Sequence, residues 1–405
     1  MKIANVIRRF VFEEWGGTES AVWNLSKCFS AMGHSPEILA TKALQPLEFE
    51  ERSSVKIRRF GYFYPYLFLG KESKLALDKK GGNPFSLGIY SGIANGKFDI
   101  VHSHTLGRMA KESALAAKKL GVPCVLSFHG GYMDVPQSEI DMMKNPTKNK
   151  IGYGAAVEKI FGLRSDAVLK ADGIICVGQN EYEMMRKAHP SKKVVFIPNG
   201  VDFEKFERPA DADFRGRFSI PRTRRLVLCV SRIDPQKNQI ALLSLLDEIL
   251  KKGEDAHLAL VGFVTDKTYL AKIEQAAKDL GLGDRLTVCG GIAPESPMLA
   301  SAYKSADVFA LASVHEPVGI VALEAWAAGT PVIAANVGGL GRLVENAKTG
   351  FLFDSSDARS MADAYFCAKK FGAETAAAAK TLCREKYSWS AAARQTLDFY
   401  NSLKK

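Results

Sequence analysis

Eleven short apolar runs rich in Val, Ile, Leu and Phe recur along the chain, separated by segments of helical spacing. In the first half they are KIANVI, SPEILAT, DIVHSH, CVLSFHG, GIICVG and VVFIPNG. In the second they are LVLCVS, HLALVG, LTVCGG, DVFALAS and PVIAAN. Ser20–Met32, Met109–Leu120 and Asn238–Lys251 have helical spacing. Strands that alternate with helices pair in parallel, and a parallel sheet is covered on both faces. The expected class is therefore α/β, with two Rossmann-like domains whose parallel sheets face across a cleft. At 405 residues the chain is long for one core and natural for two. The join is expected in the polar stretch Val201–Thr223, which carries Pro209 and Pro221. This gives 1–205 and 206–387, with 388–405 after them. Ligands of open parallel sheets bind beyond the strands' carboxyl ends.

Composition narrows the class. The chain is 47% hydrophobic and 24% charged, an ordinary globular balance. It has no uncharged apolar run long enough to span a bilayer. MKIANVIRRF is charged too early for a signal peptide and reads as a buried first strand. The seven cysteines, at 28, 124, 176, 229, 289, 367 and 383, form no CxxC, and most sit in apolar runs. They read as reduced thiols of a cytoplasmic protein. The net charge of +11 is uneven: residues 1–200 hold 28 Lys/Arg against 19 Asp/Glu, and the rest hold 27 against 25. An anionic partner or a solvated basic face fits the first half equally. No nucleic-acid motif accompanies the charge, so no nucleic acid is expected as a partner.

The stretch HEPVGIVALEA sets two carboxylates, Glu316 and Glu324, on either side of an apolar segment. Pro317 favours a first helical turn, and the helical spacing ends at Gly329. The free N–H groups of Val318, Gly319, Ile320 and Val321 then form an anion site, and Gly319 lets a ligand approach the backbone. Glu324 lies about 7.5 Å further along the axis, at 1.5 Å per residue. Hydroxyls, anion, hydroxyls is the order found in a nucleotide sugar. Glu324 would accept from the ribose, the helix start would hold the diphosphate, and Glu316 would face the transferred sugar. Two acids beside a diphosphate need cations, and SRIDPQKN supplies Arg232 and Lys237 directly after the strand LVLCVS. Taken singly, each residue also reads as an ordinary exposed charge.

With these residues the chain resembles the GT-B retaining glycosyltransferases of family GT4. The features run almost its whole length: Glu316 and Glu324 as EX7E, the SR…K pattern at Arg232 and Lys237, and GGTES at Gly16–Ser20. DIVHSH, SFHG, IPNGVD, GTPVIAANVGG and the terminal YSWSAAARQTLDFY follow in the family's order, and the last resembles the family's helix, here 388–405, that crosses back to the first domain. The resemblance implies that Gly16 and Gly17 let a loop approach the diphosphate and acceptor, and that His129 hydrogen-bonds the reacting sugar. Arg232 and Lys237 would neutralise the diphosphate. Glu316 would contact the sugar, Gly319–Val321 the phosphate and Glu324 the ribose, with the base near Gly290–Ile292. It also implies retention without a metal ion or any other cofactor. GGLGRLVE, with Gly341 and Arg342, departs from the family's usual segment, and Trp15 adds bulk beside the glycine loop. His102 and His104 in DIVHSH lie on one strand face, as metal ligands can, but no Cys or acidic cluster accompanies them. They read as strand-end histidines near the cleft.

The expected reaction moves a sugar from a UDP- or GDP-sugar to a glycan or lipid-linked acceptor in cell-envelope polysaccharide or lipopolysaccharide synthesis. Ser54–Lys74 mixes aromatics with basic residues, as a membrane interface does, or else packs beneath a loop. The first reading places the protein on the cytoplasmic face of an anionic membrane. A synthase with a soluble sugar-phosphate acceptor and a non-catalytic basic binding protein are the alternatives.

Overall fold

A computed structural model describes residues 1–12, 16–79, 81–129, 145–148, 150–293, 295–316 and 319–404. It divides into two compact units, Met1–Asn199 with Ala392–Lys405, and Gly200–Ala391.

The first unit holds an eight-stranded sheet: β1 Lys2–Val6, β2 Ser35–Thr41, β3 Phe49–Arg52, β4 Val55–Phe60, β5 Ile100–Ser103, β6 Cys124–Phe128, β7 Gly173–Cys176 and β8 Lys193–Phe196. Its order is β3-β4-β2-β1-β5-β6-β7-β8, parallel except for β3 against β4. The chain runs outward from β1 to β2 and β4 on one side, then restarts at β5 on the other. A crevice forms at such a reversal, beyond the carboxyl ends of β1 and β5. Helix Gly17–Ala31 starts near the end of β1, and its Ala21, Val22 and Phe29 are fully buried.

The second unit is wholly parallel: β9 Arg225–Val230, β10 Ala256–Val261, β11 Leu286–Gly290, β12 Val308–Leu311, β13 Val332–Ala335 and β14 Phe351–Phe353, in the order β11-β10-β9-β12-β13-β14. Its reversal lies between β9 and β12. Strands β9, β10, β12 and β13 are buried almost throughout, which is why they read as continuous apolar runs.

Three strands escape the apolar-run reading. β3 and β4 form a hairpin whose turn residues Ser53 and Ser54 both have positive φ, the mirror-image turn that matches strand twist. β14 has only three residues. The hairpin also revises the view of Ser54–Lys74 as a single interfacial segment. Ile57 and Tyr64 are buried, and Tyr62 and Tyr64 donate hydrogen bonds to Asp78. Of its large apolar side chains, Leu67 and Phe68 are the exposed ones, at 45% and 87%.

The unit boundary lies at Asn199/Gly200, earlier than 205/206, and the chain returns at Ala392, later than 388. Hydrogen bonding explains both shifts. Val201 N–H donates to Tyr387 O at 2.7 Å and Trp389 N–H to Val201 O at 3.2 Å, while Phe203 and Phe206 join the second core. Beyond Ala392 the helix Trp389–Leu403 serves the first unit: Tyr400 is fully buried beside Phe29, and Gly173 leaves room for Phe399 and Leu403. The seven cysteines are free thiols, and Cys367 is exposed rather than in the core. Among the described residues no helix is long and apolar enough to cross a membrane.

Candidate functional site

At the reversal of the second sheet, two loops meet. One follows β9 and carries Ser231–Asn238; the other follows β12 and carries Ser313–Glu316. Backbone geometry locks the first. Asp234 accepts from Lys237 N–H at 3.2 Å, Asn238 takes a left-handed conformation, and Gln239 Nε2 donates to Ser231 Oγ and Arg232 O at 2.9 and 2.7 Å. The loops are then tied together: Val314 N–H donates to Gln236 O at 2.9 Å, and Gln236 Nε2 to His315 O at 3.3 Å.

The consequence is a short ion pair. Lys237 Nζ lies 2.6 Å from Glu316 Oε2, with both side chains at most 15% exposed. Ser313 Oγ donates to the same oxygen at 3.4 Å. Charge-assisted bonds of this length are strong and directional, so each charge fixes the other. Arg232 stands beside them, 55% exposed and 3.2 Å from Asp234, its guanidinium largely open to an incoming anion. Glu316 is held from behind as well: its carbonyl accepts from Gly339 and Leu340 N–H at 2.9 and 3.3 Å. Gly338, at φ +51°, has no room for a Cβ, which would sit 2.7 Å from that carbonyl. The GG of the β13 loop is thus a brace for Glu316. Arg342, further along, is exposed.

The helix expected to start near Pro317 spans Ile320–Ala328, with Gly319 as its cap at φ +76°. Pro317 and Val318 lie outside the described residues. The start is later because Gly319 is left-handed and so stands outside the right-handed helix. Ala322 N–H makes the first bond, to Gly319 O at 2.9 Å. The N–H groups of Ile320 and Val321 precede it without intrahelical acceptors. Glu324, one turn on, accepts from Tyr303 Oη at 2.6 Å and lies within the field of Lys205. Burial raises its pKa above the usual carboxylate range, against the lowering by Tyr303 and Lys205. Burial, then the neighbouring Glu324 carboxylate, raises the Tyr303 phenol in turn. Ile292 is half-buried after β11, two strands from the reversal, and Gly291 leaves space filled by the ring of Phe263, itself 64% exposed.

The first unit has a matching cluster at its own reversal. His102 on β5, His104 just past it and His129 just past β6 converge with Asn5 of β1. His102 Nδ1 lies 2.5 Å from Tyr400 Oη, and its Nε2 lies 2.7 Å from Ser127 Oγ. His104 Nδ1 lies 3.1 Å from His129 Nε2, and its Nε2 lies 3.3 Å from Asn5 Oδ1. Burial pulls His129 down to about 4 and His102 to about 3, and holds His104 well below the ordinary value. All three are neutral at pH 7, and each ring nitrogen of His102 and His104 already has a partner. Gly16 caps the helix Gly17–Ala31, its N–H donating to Glu19 Oε2 at 3.1 Å, and Arg9 Nε holds the other Glu19 oxygen at 3.1 Å. A Cβ at Gly16 would meet Glu19, whereas Gly17 faces open space. Trp15 lies outside the described residues.

The expected residues thus fall into two sets, one per unit: Gly16, Gly17 and His129, and Arg232, Lys237, Glu316, Gly319, Ile320, Val321 and Glu324, with Ile292 at the margin. Reading the sequence missed Ser313, Gln239, Tyr303, Phe263 and Asn5. Asn5 left a signal, a lone amide in the apolar run KIANVI; the others resemble ordinary core or loop residues.

The chain is similar to known proteins over most of its length. The profile Glycosyl transferases group 1 matches residues 211–365, and Glycosyltransferase Family 4 matches residues 15–205. The chain is 31% identical to D-inositol 3-phosphate glycosyltransferase of Nocardioides sp. over 413 residues, 95% of this chain and 85% of that protein. It is 37% identical over 185 residues to the GDP-mannose-dependent alpha-(1-6)-phosphatidylinositol monomannoside mannosyltransferase of Mycobacterium tuberculosis, 43% of this chain and 46% of that one. Among solved structures, a glycosyltransferase from Rickettsia africae matches with a TM-score of 0.71 at 20% identity, covering 99% of this chain and 98% of its own. Anabaena HepE in complex with UDP and glucose matches at 0.67 and 19% identity, covering 99% of this chain and all of its own. At such identities the structural likeness speaks to the fold alone.

Proposed function

The chain belongs to the GT4-like glycosyltransferases of GT-B fold, and on that premise we propose that it is a retaining enzyme. It takes a sugar from a nucleotide-diphosphate sugar, UDP- or GDP-linked, and transfers it to a hydroxyl of a glycan or lipid-linked acceptor. The observation that carries this reading is the Lys237–Glu316 ion pair, with the half-exposed Arg232 on the same loop and the N–H groups of Ile320 and Val321 unpartnered among the described residues. The two cations and the helix start take the diphosphate, and Glu316, released from Lys237, accepts from the transferred sugar. Glu324 accepts from the ribose with the oxygen that Tyr303 leaves open, and the exposed Phe263 ring gives the base a face near Ile292. By its name, one mycobacterial relative is GDP-mannose-dependent, which fits the GDP-linked donor of the two.

The chemistry follows. The bond from the anomeric carbon to the diphosphate oxygen breaks, and Arg232, Lys237 and the helix start stabilise the charge left on the diphosphate. The acceptor oxygen bonds to the same face of the anomeric carbon. Its proton passes to the departing diphosphate oxygen. Cations supplied by the chain perform the neutralisation, so the reaction proceeds without a metal ion. His129, neutral and buried, serves to bind the sugar. Double displacement would need a nucleophile on the opposite face; His129 is the candidate for it, and it is read as a binding group instead.

The acceptor is proposed to be lipid-linked, as in cell-envelope assembly, and met at the cytoplasmic face of a membrane. Leu67 and Phe68 project from the first unit beside Ile151, 67% exposed, whose carbonyl accepts from Leu67 N–H at 2.9 Å. Lys71 and Lys74 follow on the next helix. Apolar tips with a basic fringe suit an anionic lipid surface. The test is transfer from a panel of labelled nucleotide sugars to lipid extracts and soluble glycans, with the anomeric configuration of the product read by NMR. An inverted product overturns the mechanism. Partition of the product into the aqueous phase alone, or flotation unchanged between neutral and anionic liposomes, overturns the lipid acceptor.

A further inference from the structure

The polarity of the histidine cluster can be traced atom by atom. Asn5 Nδ2 donates to Ser26 Oγ at 3.1 Å, which turns Asn5 Oδ1 toward His104 Nε2. An amide oxygen only accepts, so His104 Nε2 carries the proton. A neutral imidazole has a single N–H, so His104 Nδ1 is a bare lone pair. It faces His129 Nε2 at 3.1 Å, which must therefore donate. His129 then has no proton on Nδ1, and that atom is buried and unpartnered among the described residues. His102 offers a contrast. It lies between two hydroxyls, Tyr400 and Ser127, each able to donate or accept, so its own tautomer is not dictated. Its ring stands 3.8 Å from that of His104, which disfavours protonating both.

The opposite chain of bonds, with the amide reversed, would leave His129 with a buried Nδ1–H and no acceptor. Orphaned buried donors are rarer than under-satisfied acceptors. The cluster lies at the carboxyl ends of β1, β5 and β6, at the reversal where open sheets take ligands.

We infer that Asn5 is a positioning residue that fixes the tautomer of His129 through His104, so that His129 presents a bare Nδ1 to accept a hydrogen bond from a substrate hydroxyl. The inference rests on the glycosyltransferase reading for the identity of that hydroxyl, one on the transferred sugar or on the acceptor, but not for the tautomer. Such a site favours a sugar with a hydroxyl at this position. It disfavours the deoxy, fluoro or O-methyl analogue, because the lone pair would be buried without a donor.

The experiment is two-bond 1H–15N correlation on the whole protein labelled with 15N-histidine, between pH 6 and 8. The expected result is that His104 and His129 are both Nε2–H tautomers with unprotonated Nδ1. In Asn5→Leu, where His104 loses its acceptor, His129 shows both tautomers. A wild-type His129 protonated on Nδ1 overturns the inference, as does an Asn5→Leu protein of unchanged tautomer. Should Asn5→Leu not fold, the wild-type spectrum still decides the polarity and Asn5→Ala repeats the relay test. With the nucleotide sugar that passes the transfer assay, Asn5→Leu should lower kcat/KM about tenfold, the loss of one hydrogen bond. Failure of every nucleotide sugar to transfer would sink the proposed function while the spectrum still decided the tautomer; transfer with an Nδ1–H His129 would do the reverse.

Discussion

At the scale of single residues, the buried histidines make stability depend on pH in a direction that can be worked out. A histidine held neutral binds fewer protons folded than unfolded once the pH drops below about 6.5. Its contribution is full above that pH and is lost as the pH falls toward the folded values, about 4 for His129 and about 3 for His102. Each contributes a slope of about 1.4 kcal/mol per pH unit in that window. Glu112, raised to about 7 by burial, acts oppositely between about pH 7 and its unfolded value near 4.3. The clean test is therefore a difference. His102→Phe should be less stable than wild type at pH 8, with the gap narrowing toward pH 4.5 in denaturant titrations. Parallel curves at all pH values would contradict the assignment. The residue scale is also where the sequence was most legible. Glu316 and Glu324 stand out as charges flanking an apolar segment, and Arg232 and Lys237 as cations directly after the strand LVLCVS. That Lys237 and Glu316 hold each other was not legible, because it depends on two loops tied by Gln236 across 79 positions.

At the scale of elements, the brace behind Glu316 is the part most open to attack. Gly338→Ala places a Cβ against the Glu316 carbonyl in a left-handed conformation. It should destabilise the second unit by about 1–2 kcal/mol and lower turnover more than it lowers nucleotide affinity, because Glu316 moves while Arg232 does not. Wild-type turnover in a folded Gly338→Ala protein would show that the loop tolerates the shift and that the brace is not needed. Elements were unevenly legible. Long runs buried on both faces, such as LVLCVS and HLALVG, announced β9 and β10 by apolarity alone. The hairpin β3–β4 did not, because its Ser-Ser turn lacks the usual Asn-Gly signal and Arg59 sits on its buried face, donating to Phe10 O at 3.0 and 3.1 Å. The helix starts at Ile320, three residues after Pro317, because a left-handed glycine cap at Gly319 outweighs proline's preference for a first turn.

At the scale of the whole molecule, the first unit depends on the chain's last stretch. Removing 392–405 strips Tyr400 from His102 and Phe29, and Phe399 and Leu403 from Gly173. Calorimetry of the truncated protein should show the transition of the first unit lowered or lost and that of the second kept; two unchanged transitions would contradict this division. The two-unit plan was legible from the alternation of runs, while its boundary was not, because Gly200–Glu207 looks like a linker yet packs into the second core. The central claim is that the second unit holds a nucleotide diphosphate with its own cations. The most direct measurement is calorimetric titration of UDP, GDP and ADP in EDTA, into wild type, Lys237→Ala and, as a control, Asp172→Asn, whose carboxylate accepts from Cys124 N–H at 2.8 Å in the first unit. The account predicts that one diphosphate binds without magnesium, that Lys237→Ala weakens it at least about tenfold, equivalent to about 1.4 kcal/mol, and that Asp172→Asn leaves it unchanged. Binding that requires magnesium, or that survives Lys237→Ala intact, would contradict it.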